Sequence, residues 1–444
     1  MHRNITLYGK ITLIKSLAAT KVAYLLNVCS VPKDLITRIE KLFFQFLWGS
    51  KVDKIKRNTI IGDYNDGGLR MLDIHSQYKA FQSSWITRIV KHNNYDVMPS
   101  WICIPMHYII KANLDKVIFR MNFNNPKYCP NIPNLPTFYS LAIQSWYECL
   151  NHMPIITPEQ IRQQVIWCNE NIVFGGNTLF FNSWIMSNVL FVDDLIDKQG
   201  NIRHELIIHR LKGRSNWINE MFMLINALPT SWRDALKEAV IEDLELPPIL
   251  VKLKGSALCK SIDMVTTKEY YWSIVSTKFV KPWITGKWET LLNCPCNWSQ
   301  IWYNRTLSLT QERHLSNFMY KFLHDILPNG VNLYKWQVAT NNRCEICDTK
   351  NDICHMFIDC KRVKPLWHKV ELLLTNKLNY HVQVSLRTLV CGLNTHNKRV
   401  NLLIIIAMYT IYKSWLLYKD TSKLKTVCLL KMLNTEVKKR MDNE

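Results

Sequence analysis

The 444-residue sequence contains no long uncharged apolar run. Its most apolar run, Leu402 to Tyr412, has eleven residues, whereas a membrane-spanning helix needs about twenty. The opening residues MHRNITLYGK lack the apolar stretch of a secretory signal. We therefore expect no membrane partner, a buried helix at 402–412, and a nuclear or cytoplasmic protein. Its 14 cysteines are then reduced thiols or metal ligands.

Acidic residues are scarce relative to basic ones. Asp and Glu total 35 against 56 Lys and Arg, a formal net charge of +21. The chain is 48% hydrophobic, enough for globular cores, and such a basic excess is typical of proteins that bind nucleic acid. Between Asp193 and Glu245, however, ten acids face seven bases. The middle of the chain is therefore the part least suited to hold a polyanion.

Familiar catalytic motifs are missing. The sequence has no G-x-x-x-x-G-K-[ST], no H-E-x-x-H and no G-x-S-x-G. The FVDD sequence at 191–194 has the form of an aromatic-x-Asp-Asp turn that binds two Mg²⁺ ions in polymerases, and Asp115 lies upstream. No strand pattern flanks it, and Asp197 indicates an ordinary polar turn. We predict that this pair is not catalytic and that the chain is not an enzyme.

One cluster of residues has both the types and the spacing of a metal site. Cys344, Cys347, His355 and Cys360 follow the order C-x2-C-x7-H-x4-C. Three thiolates and one imidazole suit tetrahedral Zn²⁺, and four protein ligands leave no position for a reactive water. The pattern predicts a structural zinc site. Cys354 is a rival ligand, and chance grouping among the cysteines and 13 histidines is the alternative.

A second close pair, Cys294 and Cys296, carries a weaker signal. The C-x-C spacing has no partner cysteines or histidines at a suitable distance. Free Cys is often buried as a small apolar residue. We therefore interpret this pair as buried thiols.

Apolar residues recur at three- and four-residue steps, which predicts a mainly α-helical fold. Helices are expected near 74–91, 363–377 and 399–418, with Pro32 separating two earlier ones. Residues 310–339 should form a helix, a turn at Pro328-Asn329-Gly330 and a second short helix. The helices should form two or three lobes, with a small zinc-knuckle module near the C-terminus and at most a short hairpin beside it. The residues expected on the first two apolar faces are Leu7, Ile11, Ile14 and Leu17, then Ile36, Ile39, Phe43, Phe46 and Leu47.

Several segments together resemble the C-terminal part of the reverse transcriptase of LINE-type, non-LTR retrotransposons. The segments that carry the resemblance are LYGKITLIKSLAATKVAYLL at 7–26, EKLFFQFLWG at 40–49, DYNDGGLRMLDI at 63–74, LFVDDLIDKQGN at 190–201, FLHDILPNGVNLYKW at 322–336, CEIC, HMFIDC and LW at 344–367, and LLIIIAMYTIYKSWL at 402–416. They occur in the order found in that family. The middle third is the least specific part.

This resemblance implies a domain organisation. Residues 1–95 would form a thumb-like helical domain, 96–137 a loop-rich linker marked by Asn124-Asn125-Pro126 and Pro130, 138–300 a wrist-like helical domain, and 301–444 the reverse-transcriptase zinc-binding domain. The family's palm, with its metal-binding carboxylates, precedes the thumb and has no counterpart in the sequence. The thumb's apolar face normally packs on the palm, so we expect the first helix to be loosely docked or to expose an apolar patch.

The resemblance also implies a function. We expect a non-catalytic fragment that grips the backbone of RNA or DNA, with other parts of a retrotransposon polyprotein as further partners. An incomplete gene model of a whole RNA-directed DNA polymerase polyprotein is one alternative. A retained scaffold for protein interactions is the other.

Basic residues near the start of the chain and around the cysteine cluster are the candidate phosphate contacts. They are Lys10 and Lys15 on the first helix, Lys51, Lys54, Lys56 and Arg57 in the loop after Trp48, and Arg343, Lys361, Arg362 and Lys364 around the metal ligands. Such contacts position a strand without reading its sequence. Trp336 and Trp367 are candidate stacking faces. The alternatives are that the charges only solvate the surface and that both tryptophans belong to the core.

Overall fold

The computed structural model describes residues 5–92, 99–115, 117–121, 132–151, 155, 157–211, 216–237, 248–308, 312–379, 381–393, 398–417 and 426–441. The described chain is mainly α-helical, which confirms the predicted fold class. The predicted loop markers Asn124, Asn125, Pro126 and Pro130 lie outside the described residues.

The chain divides into two compact units, each built from separate stretches of sequence. One unit comprises residues 1–19, 41–72 and 279–444, with 33 Lys and Arg against 15 Asp and Glu, a formal charge of +18. The other comprises 20–40 and 73–278, with 23 against 20, a charge of +3. We call them the basic unit and the central unit. The domain boundaries expected near 95, 137 and 300 stay predictions.

Helices of the basic unit carry its core. The predicted helices near 363–377 and 399–418 are present as Lys364–Leu378 and Lys398–Leu417, and Leu402–Met408 are buried as expected. The other helices of this unit are Leu7–Leu13, Arg57–Ile60, Ile284–Leu292, Trp298–Tyr303, Arg313–Leu323, Gly330–Lys335, Leu386–Cys391 and Thr426–Met441, with π-helical turns at Ile14–Ala18, Asn304–Ser308 and His355–Asp359. Ala19–Val28 and Lys33–Trp48 contribute residues to both units.

The central unit combines short helices with two small hairpins. Its helices are Ile74–Lys91, Cys103–Lys111, Thr137–Cys149, Pro158–Arg162, Asn182–Ile185, His204–Leu211, Trp217–Ala227, Thr230–Lys237 and Thr267–Lys278. The hairpins pair Val173–Phe174 with Asn177–Thr178, and Leu250–Lys252 with Cys259–Ser261. Beside the knuckle at Cys344 and Cys347, where at most a short hairpin was expected, the structure has an antiparallel bridge between Arg343 and Lys350.

The segment 96–137 holds more regular structure than its composition indicates. Cys103–Lys111 is helical, and Met106 and Ile109 on it are buried in the core of the central unit. Leu114, Val117 and Ile118 follow them into that core. The described part of this segment therefore packs into the core of the central unit through its apolar residues, although Asn and Pro residues are scattered along it.

Three fully buried tryptophans, Trp146, Trp167 and Trp184, lie within the mainly aliphatic core of the central unit. Trp167 donates its indole N–H to the Val189 carbonyl at 2.8 Å, and Trp184 donates to the Glu220 carboxylate at 2.8 Å. A buried indole needs such a partner, so these bonds fix the orientation of each ring.

The first helix is docked along part of its apolar face only. Leu7, Ile11 and Ile14 are buried, but Leu17 at the end of the predicted face is 59% exposed. The helical run Leu7–Val28 is the one helix in the described ranges with the length and hydropathy of a membrane span, and 22% of its most apolar window is buried. One such helix near the start of a chain is weak evidence for a membrane. The exposed Leu17 fits the expected apolar patch.

The Asp66-Gly67-Gly68 turn is held by the helix Arg313–Leu323 within the basic unit. Gly67 has a φ of +80°, a conformation that favours glycine. Its carbonyl accepts hydrogen bonds from Tyr320 at 3.1 Å and from the ring of His324 at 2.9 Å. These bonds tie a segment near residue 67 to one near residue 320, so the unit is assembled from both ends of the sequence.

Candidate metal centre and basic pockets

The first two cysteines lie on a tight knuckle. The Cys344 carbonyl accepts from the Asp348 N–H at 2.8 Å, and the Cys344 N–H donates to the Thr349 carbonyl at 2.8 Å. Asp348 takes a φ of +51°, which closes the turn. The two-residue spacing thereby brings both thiols to the same side of the loop.

The other two candidate ligands lie at the ends of a π-helical turn, His355–Asp359. The Cys360 N–H donates to the His355 carbonyl at 3.0 Å, and the Asp352 carboxylate accepts from the His355 N–H at 2.9 Å. Residues five apart face the same side of a π-turn. The H-x4-C spacing is explained by this turn, which a regular α-helix would not provide.

The four side chains converge. The ligand atoms of Cys344, Cys347, His355 and Cys360 all lie within 4.8 Å of one another. The Cys360 sulfur is 4.0 Å from that of Cys344 and 3.9 Å from that of Cys347. Sulfur atoms bound to one zinc ion at about 2.3 Å would be about 3.8 Å apart. The cluster is therefore suited to hold a metal ion.

The imidazole of His355 is prepared for a ligand. Its Nδ1 is 3.1 Å from the Thr349 hydroxyl, whereas its buried Nε2 has no partner among the described residues. A hydrogen bond on one ring nitrogen fixes the tautomer and leaves the other nitrogen for a metal. Burial, followed by the neighbouring thiols, raises the pKa of Cys360 to about 12, so a bound cation is needed to hold the Cys360 sulfur as a thiolate.

The two other cysteine candidates do not join a metal group in the described ranges. Cys354 lies outside the convergent set, and burial raises the pKa of its thiol to about 11. The Cys296 sulfur is 3.9 Å from that of Cys391, and both are half-buried beside the core of the basic unit. Cys294 is half-buried as well.

Two of the predicted phosphate contacts meet in one pocket. Lys10 and Lys54 line a cavity of about 200 Å³ together with Lys321 and Trp336, and no Asp or Glu occurs among its described lining residues. The Lys54 ammonium lies 5.0 Å from the centre of the Trp336 ring, and Lys10 donates to the Leu47 carbonyl at 3.0 Å. We call this group the lysine pocket.

The three ammonium groups of the lysine pocket repel one another. Burial lowers the pKa of all three, and the Lys10 charge lowers that of Lys54 further. Lys54 and Lys10 also lower the pKa of Lys321. The pocket is therefore a concentration of positive charge that an anion would stabilise.

Lys15 lines a different cavity. This cavity has a volume of about 510 Å³ and also contains Tyr8, Tyr64 and Arg313. The Arg313 guanidinium lies 5.8 Å from the centre of the Tyr8 ring. Burial, and then the Arg70 charge, lower the pKa of Lys15. The two lysines predicted on the first helix thus line different cavities.

The remaining predicted contacts differ in their availability. Lys51, Lys56, Lys361 and Lys364 are exposed. Arg57 donates to Asp53 at 2.8 Å and lies 4.5 Å from the centre of the Phe44 ring, whereas Arg343 pairs with Asp348 at 3.1 Å on the surface. In Arg362, Nε and Nη1 are buried without an acceptor in the described residues.

The tryptophans and the acidic pair are now placed. Trp367 is buried and donates to the Phe357 carbonyl at 2.6 Å, so it belongs to the core, whereas Trp336 is half-buried beside Lys54.

Asp193 accepts from Arg162 at 2.9 Å. Asp194 accepts from the Leu190 and Phe191 N–H groups at 2.9 Å. Both carboxylates are thus engaged in local structure.

Lys321 was missed by the sequence reasoning. It lies on the helix Arg313–Leu323, between the buried residues Tyr320 and Phe322. A lone lysine within an apolar stretch was the available signal.

Comparison with known proteins gives one informative match. No protein-family model matches the chain. Over 92% of its length the chain is 20% identical to the Transposon TX1 uncharacterized 149 kDa protein of Xenopus laevis. The match covers 34% of that protein, so the chain spans about a third of the length of this curated relative. The similarity relates the chain to a transposon protein.

Proposed function

We propose that this chain is a transposon-derived, non-catalytic region that binds the backbone of RNA or DNA. The observation that carries the proposal is the lysine pocket, where Lys10, Lys54 and Lys321 converge without a carboxylate among the described lining residues. The similarity to a transposon protein and the resemblance to a LINE-type thumb and zinc-binding module support it. Such a ligand implies a nuclear or cytoplasmic location.

The lysine pocket suits phosphate for two physical reasons. Like charges in a partly buried site destabilise one another, and a phosphate diester bound among them would relieve that repulsion. Trp336 adds an aromatic face, on which a base of a single strand can stack beside the Lys54 ammonium. The combination supports binding that depends on the backbone and tolerates any base sequence.

We propose Zn²⁺ as the ion of the metal centre, in a structural role. Three sulfurs and one imidazole nitrogen at the observed spacing match a closed tetrahedral zinc site. Residues 344–360 are packed only in part, because both Cys344 and Cys347 remain half-buried. A metal ion would cross-link the knuckle to the π-turn and fix the exposed Lys361 and Lys364 that follow it.

The proposed lack of catalysis is supported by the acidic pair. Asp193 is paired with Arg162, and Asp194 accepts two backbone N–H groups. Carboxylates that hold two Mg²⁺ ions need their oxygens directed at the metals.

A second candidate is a part of a longer polyprotein. The match covers about a third of the Xenopus laevis protein, so that protein has further regions beside the matched one. This favours a region that works together with other domains. Joining the region to an upstream polymerase segment would test this: a gain in template affinity above that of either part supports the polyprotein. Equal affinities would contradict it.

A salt titration tests nucleic-acid binding. Fluorescence anisotropy with labelled RNA, duplex DNA and hybrid should give an affinity whose logarithm falls linearly with the logarithm of salt, by roughly 0.7 to 0.9 per phosphate contact. The triple variant Lys10→Gln/Lys54→Gln/Lys321→Gln should lower that slope by about 2. The control Lys281→Gln/Lys431→Gln/Lys438→Gln removes the same charge from exposed positions of the same unit.

The outcomes separate the hypotheses. Loss of slope in the first triple variant alone supports the lysine pocket. Equal losses in both triple variants would mean that only net charge matters. No binding to any of the three probes, together with a nuclease-resistant protein pull-down, would favour the interaction scaffold instead.

A further inference from the structure

The basic unit contains a further cavity that is larger than both the lysine pocket and the cavity at Lys15, and that is separate from the metal centre. Its volume is about 810 Å³, and it is lined by residues of the segments 295–308, 385–393 and 398–401. Arg305, Arg387 and Lys398 are among its lining residues. We call it the Arg305 pocket.

Arg305 is an unusual residue for such a position because it is 98% buried. Its Nη2 donates to the Leu389 carbonyl at 2.8 Å, and its Nη1 lies 3.4 Å from the Asn401 amide oxygen. The buried Nε has no acceptor among the described residues. A guanidinium has five N–H donors, so most of them are left for another acceptor.

No carboxylate balances this charge in the described part of the cavity. The lining contains no Asp or Glu there, whereas Arg387 and Lys398 add two exposed cations at the rim. Cys296 and Cys391 also line the pocket, and burial raises the pKa of both thiols, so they contribute no negative charge. A buried cation that has no negatively charged partner lowers the stability of the fold, and a bound anion would offset this loss.

The backbone beside Arg305 is arranged to leave room. Gly392 has a φ of +79°, and a Cβ there would lie 2.9 Å from the Asn401 amide oxygen and 3.3 Å from Arg305 Nη1. Any side chain at 392 would therefore press on the two groups that form the floor. Ser385 and Thr388 add hydroxyl groups to the same lining.

We propose that the Arg305 pocket binds the phosphate group of a nucleotide, with Arg305 at the floor and Arg387 and Lys398 at the rim. A planar guanidinium matches two phosphate oxygens, and the cavity is large enough for the attached nucleoside. The nucleotide can be free or can be the phosphorylated end of a strand. This site does not depend on the lysine pocket, so it stands even if the proposed backbone binding fails.

Isothermal titration calorimetry tests the site with inorganic phosphate, adenosine monophosphate and short oligonucleotides. The oligonucleotides carry either a 5′-phosphate or a 5′-hydroxyl. Preference for the 5′-phosphorylated strand over adenosine monophosphate identifies a strand end as the ligand, and the reverse order identifies a free nucleotide. Either result supports the pocket if the rim variants weaken binding.

The decisive variant is Arg387→Gln/Lys398→Gln, because both side chains are exposed and their loss leaves the core intact. Binding of adenosine monophosphate should weaken by roughly tenfold or more. Gly392→Ala should weaken it as well by crowding Arg305, and Lys431→Gln/Lys438→Gln should leave it unchanged. Absence of binding by every probe, or binding that the rim variant leaves unchanged, would overturn the proposal.

Discussion

The two units share a helical fold, and each contains a buried arginine, but the two arginines differ in their partners. In the central unit Arg162 is 3% exposed and is compensated by Asp193 and by the Asp197 carbonyl, at 2.9 and 2.8 Å. In the basic unit Arg305 is equally buried, yet no carboxylate lines its pocket in the described chain. Charges of +3 and +18 agree with this difference. The buried arginine of the central unit thus has a carboxylate partner, whereas Arg305 has none among the described lining residues of its pocket.

A second contrast concerns the sources of stability. Both units have an apolar core, with three fully buried tryptophans in the central unit and two, Trp288 and Trp302, in the basic unit. The basic unit differs in that its residues 344–360 bring together four side chains that could hold a metal ion. Removal of the metal should therefore destabilise the basic unit and leave the stability of the central unit unchanged.

The largest expected effect is loss of the metal. Zinc modules gain on the order of 10 kcal/mol from their ion, and Cys360→Ser removes a buried ligand. We expect the bound zinc to fall from one ion per chain to none, with faster hydrogen exchange across residues 341–362. Metal analysis and hydrogen-exchange mass spectrometry check both.

Cys354→Ser is the matched control, since Cys354 lies six residues upstream and outside the convergent set. It should keep one zinc ion per chain. If Cys354→Ser lost the metal and Cys360→Ser kept it, the ligand assignment would be wrong.

The second largest effect should be a loss of stability in the central unit that does not depend on bound metal. Trp184→Ala removes a fully buried ring and its bond to Glu220, which should cost about 3–5 kcal/mol of unfolding free energy. Hydrogen exchange over residues 179–195 should speed up by the same factor with zinc or with a chelator. A chelator-dependent change there would break the comparison, because it would make the central unit rely on the ion.

Local patterns explain what the sequence predicted well. The metal ligands lie within seventeen residues, and the knuckle and π-turn that orient them are formed by nearby backbone groups. The helix at 74–91 begins where Asp73 caps the His75 and Ser76 N–H groups. Such features depend on adjacent residues, so spacing and capping suffice to find them.

Long-range packing explains what the sequence could not predict. Lys10, Lys54 and Lys321 belong to one pocket, but nothing in the residues around each of them indicates the other two. Arg305 lies on a π-helical turn, and its exposure is set by residues 84 and 96 positions away along the chain. Leu17 fits the apolar pattern but is exposed, since a repeat shows amphipathicity without showing what covers it.

The smallest effect concerns how the basic unit joins its two ends of sequence. Burial lowers the pKa of His324 to about 4, and its neutral ring bonds to the Gly67 carbonyl. The unfolded histidine titrates near its ordinary pKa of about 6.5. Between pH 6.5 and pH 4 the unfolded state therefore binds a proton at His324, whereas the folded state does not. Stability should therefore be full above pH 6.5 and fall by about 2 kcal/mol at pH 5.

Urea unfolding of the wild type and of His324→Gln at pH 7.5 and pH 5.0 isolates this contribution. Acid also protonates the metal ligands, but it does so in both proteins, so the difference between their unfolding free energies cancels that loss. Glutamine can donate to the Gly67 carbonyl and does not titrate. The advantage of the wild type should shrink by about 2 kcal/mol at pH 5.0. An advantage independent of pH would mean that His324 is not buried in its neutral form against the turn at Gly67.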